Sequence, residues 1–133
     1  MKSEILSLLI VLCMGPISAH AGTVDSLLEN YQSQGAGSFD AERGKQMWFD
    51  KHIQKDTGAS VDCTTCHGLD LSKGGKHAKT GKPIDPLAPS ANAERLTDAA
   101  KVEKWFKRNC KWTWGRECTP QEKGDLLSFL RTQ

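Results

Sequence analysis

The stretch Cys63-Thr64-Thr65-Cys66-His67 decides how this chain folds. Its pattern, Cys-x-x-Cys-His, is the attachment sequence of a c-type haem. The two thiols add to the vinyl groups of the porphyrin as thioethers, and the adjacent histidine supplies its imidazole to the iron. We therefore predict one covalently bound haem c, held by Cys63, Cys66 and His67, with the rest of the chain packed around it.

The N-terminal residues predict export. One lysine precedes an apolar run at 5–14, and Ala19-His20-Ala21 places small residues at the two positions that a signal peptidase reads. The alternative interpretation of this run is a membrane anchor, but the run is too short to span a bilayer comfortably. We expect a signal peptide at 1–21, cleaved before Gly22, and a periplasmic mature chain of residues 22–133.

The mature chain has the length of one small domain. A formal net charge of +2 gives no indication of nucleic-acid binding. Four cysteines remain after cleavage, and if Cys63 and Cys66 hold haem, we expect Cys110 and Cys118 to form a disulfide in an oxidising compartment. A zinc module built from the four cysteines is the non-haem alternative. The position of His67 directly after Cys66 and the predicted export both argue against that module.

Every segment of the mature chain with a regular sequence pattern has the pattern of a helix, and no segment carries a strand signal. The fold class is therefore all-α, with four or five short helices around the haem. The predicted helices cover 25–31, 40–52, 98–109 and the residues that follow the capping box Thr119–Glu122.

Two of these helices carry a more specific prediction. In the second, Gly44 shares a face with Met47 and Trp48, and a glycine inside a helix costs up to ~1 kcal/mol relative to alanine. The most direct explanation for this glycine is that another helix approaches closely at its position. The last helix has Pro120 at its first position, and its buried residues are predicted to be Leu126, Leu127, Phe129 and Leu130.

The second axial ligand of the iron is not obvious from the residues. Small c-type electron carriers usually use a methionine downstream of the haem motif, but no methionine follows His67. We assign Met47, which lies upstream, to core packing. The remaining candidates are His77 in a loop rich in glycine and lysine, His52 at a predicted helix end, a lysine, and Asn109. Asn109 lies seven residues after Val102, only ~20° from the apolar face of its helix.

Several stretches resemble the sphaeroides haem protein (SHP) family, an oxygen-binding branch of class I cytochrome c. The resemblance covers nearly all of the mature chain. Its most specific parts are Ala41–Lys45, Cys63–Gly68, Gly75–Pro89 and Lys104–Cys110, and it continues through 115–118 and 122–125.

The resemblance implies a class I cytochrome c-like fold with His67 and Asn109 as the axial ligands and Cys110 bonded to Cys118. It also implies that the asparagine holds the oxidised iron and leaves on reduction, which opens a site for O₂, NO or CO. A neutral amide is a weak ligand, so a change in iron charge and spin state can release it. The alternative function is a plain periplasmic electron carrier whose haem stays six-coordinate.

Relatives in this family are associated with a dihaem cytochrome c and a membrane cytochrome b as electron donors. Reduction of O₂ or of a peroxide, or oxidation of NO, would be the corresponding activities. Such a small haem domain is expected to be a monomer. Four lysines at positions 73, 76, 79 and 82 are either a docking surface for an acidic redox partner or a solvated loop.

Overall fold

The computed structural model describes residues 19–133, with side chains from Gly22 onward. Residues 1–18 hold most of the predicted signal peptide and lie outside the described part, so cleavage before Gly22 stays a prediction. The helices are α1 (Ala19–Ser33), α2 (Ala41–Phe49), α3 (Thr64–His67), α4 (Ala99–Trp114) and α5 (Pro120–Leu130). The strands are β1 (His52–Ile53), β2 (Ser60–Val61), β3 (Gly75–Lys76) and β4 (Pro83–Ile84). Within residues 19–133, no helix combines the length and the apolar character needed to cross a membrane.

Helices α2 and α5 form the tightest contact of the fold, as the glycine in α2 predicts. A Cβ atom placed on Gly44 would lie 2.0 Å from the backbone oxygen of Asp125. On the facing helix, a Cβ atom on Gly124 would lie 2.1 Å from a ring carbon of Phe39. Because Cβ atoms cannot approach other atoms so closely, Gly44 is required for the two helices to pack at this distance, and Gly124 leaves the space that the ring of Phe39, just before α2, occupies.

An ion pair between the half-exposed Arg43 and a buried carboxylate fixes the same contact. Asp125 is 2% exposed, and its carboxylate accepts hydrogen bonds from Arg43 Nε at 3.0 Å and from the backbone N–H of Asp40 at 2.7 Å. Gln121 Nε2 donates a further bond at 3.2 Å. A buried carboxylate is costly unless hydrogen bonds satisfy it, so these donors make its position at the helix contact tolerable.

The start of α5 confirms the predicted capping box. Thr119 Oγ1 accepts a hydrogen bond from the backbone N–H of Glu122 at 3.2 Å, and Glu122 Oε2 accepts one from the backbone N–H of Thr119 at 2.8 Å. Proline occupies the first turn. The apolar residues predicted for this helix are all buried, namely Leu126, Leu127, Phe129 and Leu130.

Helix α4 starts where predicted and ends later. Asp98 caps it by accepting a hydrogen bond from the backbone N–H of Lys101 at 3.0 Å. The prediction that the helix ends near Asn109 is wrong, because the helix continues to Trp114 and ends at Gly115, whose φ is +69°. Glycine adopts this left-handed conformation without the steric cost of a Cβ, which makes it a favourable helix stop.

The prediction that no strands form is also wrong. Two antiparallel hairpins flank the haem motif: β1 pairs with β2, and β3 pairs with β4. The predicted second helix stops at Phe49, so His52 lies in β1 opposite Val61 and not at a helix end. The first helix is longer than the predicted 25–31.

Candidate functional site

The Cys-x-x-Cys-His motif forms the single helical turn α3. Cys63 and Cys66 are free thiols and both are partly buried. His67 is the last residue of the turn, and Gly68 then reverses the chain with a φ of +72°, a conformation that favours glycine. The turn therefore presents two thiols and one imidazole from five consecutive residues.

Asp62 holds this turn in place. Its carboxylate, 4% exposed, accepts hydrogen bonds from Thr64 Oγ1 at 2.6 Å and from the backbone N–H of Thr65 at 3.0 Å. Thr65 Oγ1 in turn accepts a bond from the backbone N–H of Asp62 at 3.1 Å. Burial acts to raise the pKa of Asp62, but the bonds from Thr64 and from Lys51 outweigh it and hold the pKa below its ordinary value. The residues between the two cysteines are thus tied to one carboxylate.

His67 lies in a mainly apolar environment that keeps it neutral. Its ring centroid lies 5.4 Å from that of Trp48, which in turn packs on Phe129 at 6.1 Å. Burial, with a smaller contribution from the charge of Arg95, lowers the pKa of His67 to about 4. Because only a neutral imidazole nitrogen can donate its lone pair to a metal, His67 is in the form that iron needs.

The thiol of Cys63 is also neutral. Burial is the main cause that raises its pKa to about 12, and the negative charge of Asp62 and the neighbouring Cys66 act in the same direction. Thiols that serve in disulfide exchange have a lowered pKa, so this environment argues against a redox-active cysteine pair.

Strand β3 packs directly on the haem motif. A Cβ atom on Gly75 would lie 2.1 Å from the backbone oxygen of Cys66, so only glycine allows this approach. Further along the same hairpin, the backbone N–H of Ala78 donates to Cys66 Sγ at 3.4 Å. The hairpin therefore covers one side of the thiol-bearing turn.

Asn109 lies in the interior of α4 and is exposed. Among the residues that the structure describes, its side-chain amide has no hydrogen-bond partner. The next residue, Cys110, is buried and forms a disulfide with Cys118, with their Cα atoms 5.7 Å apart. Trp105 and Trp112 occupy the same stripe of the helix one turn away on either side. The amide is thus free to act as a ligand on a backbone that the disulfide holds.

The other candidates for the second axial ligand are placed less favourably. Met47 packs against the hydrophobic core. His77 is exposed, and its Nδ1 accepts hydrogen bonds from the backbone N–H groups of Lys79 and Thr80 at 3.2 Å each. His52 packs its ring against Trp114, with the centroids 5.5 Å apart.

A zinc module is contradicted by the state of the cysteines. Two of the four thiols are consumed by the disulfide between Cys110 and Cys118. Within residues 19–133, no group of three or more His, Cys, Asp or Glu side chains is arranged to hold a metal ion.

The residues fit a covalently attached haem. Two free thiols and a neutral histidine occupy five consecutive residues, and Gly75 leaves no side chain between the hairpin and that turn. The supporting residues Asp62, Gly75 and Arg95 were not identified from the sequence. Arg95 is held by the backbone oxygens of Asp85 and Pro86 at 2.7 and 2.8 Å, and no sequence signal points to this arrangement.

Comparison with known proteins extends this assignment. Residues 34–130 match the protein family described as "Domain of unknown function (DUF1924)". The chain is 44% identical over 122 residues to "Cytochrome c-type protein SHP" of Cereibacter sphaeroides, covering 90% of this chain and 91% of that protein. It is 35% identical over 88 residues to cytochrome c'' of Methylophilus methylotrophus, covering 66% of this chain and 61% of the relative.

Two solved structures are similar to this one. "Structure of oxidized SHP, an oxygen binding cytochrome c" matches with a TM-score of 0.73 at 45% identity, covering 83% of this chain and 96% of the other. Oxidised cytochrome c'' matches with a TM-score of 0.71 at 31% identity, covering 84% and 95%. These matches confirm the predicted class I cytochrome c-like fold and the predicted haem c cofactor.

Proposed function

The chain belongs to the SHP family of c-type cytochromes, and from this premise we propose that it is an exported mono-haem cytochrome that accepts electrons and, on reduction, releases an asparagine ligand to bind a diatomic gas. The observation that carries the proposal is the side chain of Asn109. It is an amide without a hydrogen-bond partner among the described residues, one position before the disulfide-bonded Cys110.

Three residues of the Cys-x-x-Cys-His motif would hold the cofactor. Cys63 and Cys66 would form the two thioether bonds, and His67 would supply one axial ligand. When bound, the haem supplies an iron that changes its oxidation state and offers two axial positions. Asp62 and Gly75 keep the attachment turn in place, so the three donors are arranged before the haem is attached.

Asn109 would supply the second axial ligand through its amide oxygen. A neutral amide binds iron weakly, and the oxidised iron, with its higher positive charge, favours an oxygen donor more than the reduced iron does. Release on reduction would cost little, because the exposed side chain of Asn109 makes no hydrogen bond to the described residues that its movement would break. The freed amide could then donate a hydrogen bond to an incoming gas.

The relatives support this direction. One solved relative is described as an oxygen-binding cytochrome c, and the solution structure of cytochrome c'' is described as giving insights into haem-ligand detachment. We propose both properties for this chain. O₂, NO and CO are the ligands of suitable size and chemistry, and reduction of O₂ or of a peroxide, or oxidation of NO, would be the accompanying activity.

The proposed setting is the periplasm, with a dihaem cytochrome c and a membrane cytochrome b as electron donors to a monomer. The lysine-rich hairpin is the proposed docking surface. Lys73 pairs with Asp70 at 3.4 Å, whereas Lys76, Lys79 and Lys82 have no carboxylate partner among the described residues. Electron transfer from the dihaem donor that slows with rising salt would support docking here, and a rate indifferent to salt would contradict it.

The proposal is tested by adding CO to the reduced protein. If Asn109 is released, the reduced protein has an open axial position and CO changes its visible spectrum. If the reduced protein stays six-coordinate and its spectrum ignores CO, the chain is a plain electron carrier.

A further inference from the structure

A basic cavity lies beside Asn109, between two loops and the second half of α4. Its volume is about 500 Å³. One wall is the turn between β1 and β2, which contributes Lys55, and another is the turn between β3 and β4, which contributes Lys79. Helix α4 supplies Arg108 and Lys111, which lie on either side of Asn109 in the sequence.

The charges around this cavity are poorly balanced. Among the described residues that line the cavity, Asp56 is the only acidic one. Lys111 is paired with Glu117 at 3.1 Å. Within residues 22–133, the side chains of Lys55, Lys79 and Arg108 have no carboxylate partner, and the Arg108 guanidinium lies 5.4 Å from the centre of the Trp105 ring. Three positively charged residues therefore line one open space without a paired carboxylate.

Two of the residues that line the cavity, Trp112 and Trp114, carry hydrogen-bond donors without partners among the described residues. The indole nitrogens of Trp112 and Trp114 are buried, and neither has a hydrogen-bond partner among the described residues. A buried donor without a partner costs roughly 1–3 kcal/mol and calls for an explanation such as a bound ion or another ligand. Gln54 Nε2 donates to the backbone oxygen of Trp112 at 2.9 Å, which ties the β1–β2 turn to α4 and fixes the wall.

Taken together, these donors match one kind of ligand. A guanidinium group binds planar oxyanions through two parallel N–H bonds, and an indole N–H adds a directed single bond. We propose that the cavity is a binding site for a planar oxyanion next to Asn109. The oxyanion has two possible sources: a carboxylate of the haem itself, which rests on the proposed haem attachment, or a free ion such as nitrate.

Nitrate is a suitable probe because it is planar and a poor ligand for iron. The oxidised holoprotein is titrated with sodium nitrate against sodium chloride at constant ionic strength, by calorimetry and by the indole N–H signals in NMR. The test variant is Lys79→Gln/Arg108→Gln. The control is Lys101→Gln/Lys104→Gln, which also removes two charges, from positions on α4 that do not line the cavity.

A free-ion site gives saturable nitrate binding, shifts of the Trp112 and Trp114 indole signals, and a Kd at least tenfold weaker in the double variant but not in the control. A haem-carboxylate site gives no nitrate binding. In that case, removing the two cations disfavours the reduced haem and lowers the midpoint potential. A tenfold change in the equilibrium constant between the oxidised and the reduced haem corresponds to a shift of about 59 mV in the midpoint potential for one electron.

The site is rejected if nitrate does not bind and the double variant has the midpoint potential of the control. Neither readout depends on release of Asn109. A reduced protein that ignores CO but still binds nitrate would therefore overturn the proposed gas binding alone.

Discussion

The contact between α2 and α5 and the exposed stripe of α4 are built in opposite ways. At the first, Gly44 meets the backbone of Asp125 with no room for a methyl group, and a buried carboxylate is held by several donors. At the second, Asn109 is exposed and its amide has no partner among the described residues. The α2–α5 contact places Trp48 and Phe129, whose rings pack in series toward His67, whereas the stripe of α4 presents the side chain that we propose as a releasable ligand.

The largest effect on stability is expected from Gly44→Ala. The new methyl group would lie 2.0 Å from Asp125 O, so the helices must separate, and we expect a loss of about 3 kcal/mol or more in the free energy of unfolding. Guanidinium denaturation measures it. Gly37→Ala is the control, because a Cβ atom there would make only an ordinary contact at 3.5 Å. Equal stability of the two variants would contradict the close-contact account.

Breaking the disulfide should have the next largest effect. Removal of the cross-link between Cys110 and Cys118 by a double alanine substitution should cost about 2.5 kcal/mol through the entropy of the unfolded chain. Each single alanine variant should lose about as much as the double variant, since either one breaks the bond. If the losses in unfolding free energy of the two single variants instead add up to the loss of the double variant, the effect is due to side-chain packing.

A smaller, pH-dependent effect is expected at the start of α5. The hydrogen bonds from Arg116 are the main cause that holds the pKa of Glu122 below its ordinary value, so its contribution is present at neutral pH. This contribution starts to be lost as the pH falls below about 4.3, the pKa of an unperturbed glutamate, and it disappears as the pH falls through the lower pKa of Glu122 in the folded protein. Glu122→Ala should cost about 1 kcal/mol at pH 7 and much less at pH 3.

Glu29 is exposed, so Glu29→Ala is the matched control for that experiment. Its unfolding free energy should change by less than about 0.5 kcal/mol at either pH. A Glu122→Ala loss that stayed the same at pH 3 would show that the charge of the carboxylate is not responsible.

The smallest effect on stability is expected from Asn109→Ala in the reduced protein. The amide has no hydrogen-bond partner among the described residues, and alanine is the better helix former, so the unfolding free energy should change by less than about 0.5 kcal/mol. A loss above 1.5 kcal/mol in denaturation of the reduced protein would mean that Asn109 is a structural residue of α4.

Sequence reasoning succeeded where a local pattern determines the structure. The capping box at Thr119 and the close approach at Gly44 could both be predicted, because each depends on residues only a few positions apart or on the absence of a side chain. The haem motif could be recognised for the same reason. The predicted end of α4 near Asn109 is wrong because the buried positions of the helix continue through Cys110 to Thr113, and Gly115 provides the stop.

Features that depend on distant parts of the chain could not be predicted. The hairpins have only two residues in each strand, too few for an alternating pattern to appear. The contact of Gly75 with Cys66 depends on how the second hairpin folds back. The cavity beside Asn109 gathers Lys55, Lys79 and Arg108 from three separate segments, and nothing in their local sequence indicates that they meet.

The most direct test of the central proposal is a set of visible spectra of the oxidised and reduced protein, with and without CO, for the wild type and Asn109→Ala. The account predicts that reduction of the wild type gives a high-spin spectrum that CO converts, and that Asn109→Ala is high-spin already when oxidised. A wild-type protein that stays low-spin on reduction and ignores CO would contradict it, as would an oxidised Asn109→Ala protein with an unchanged low-spin spectrum.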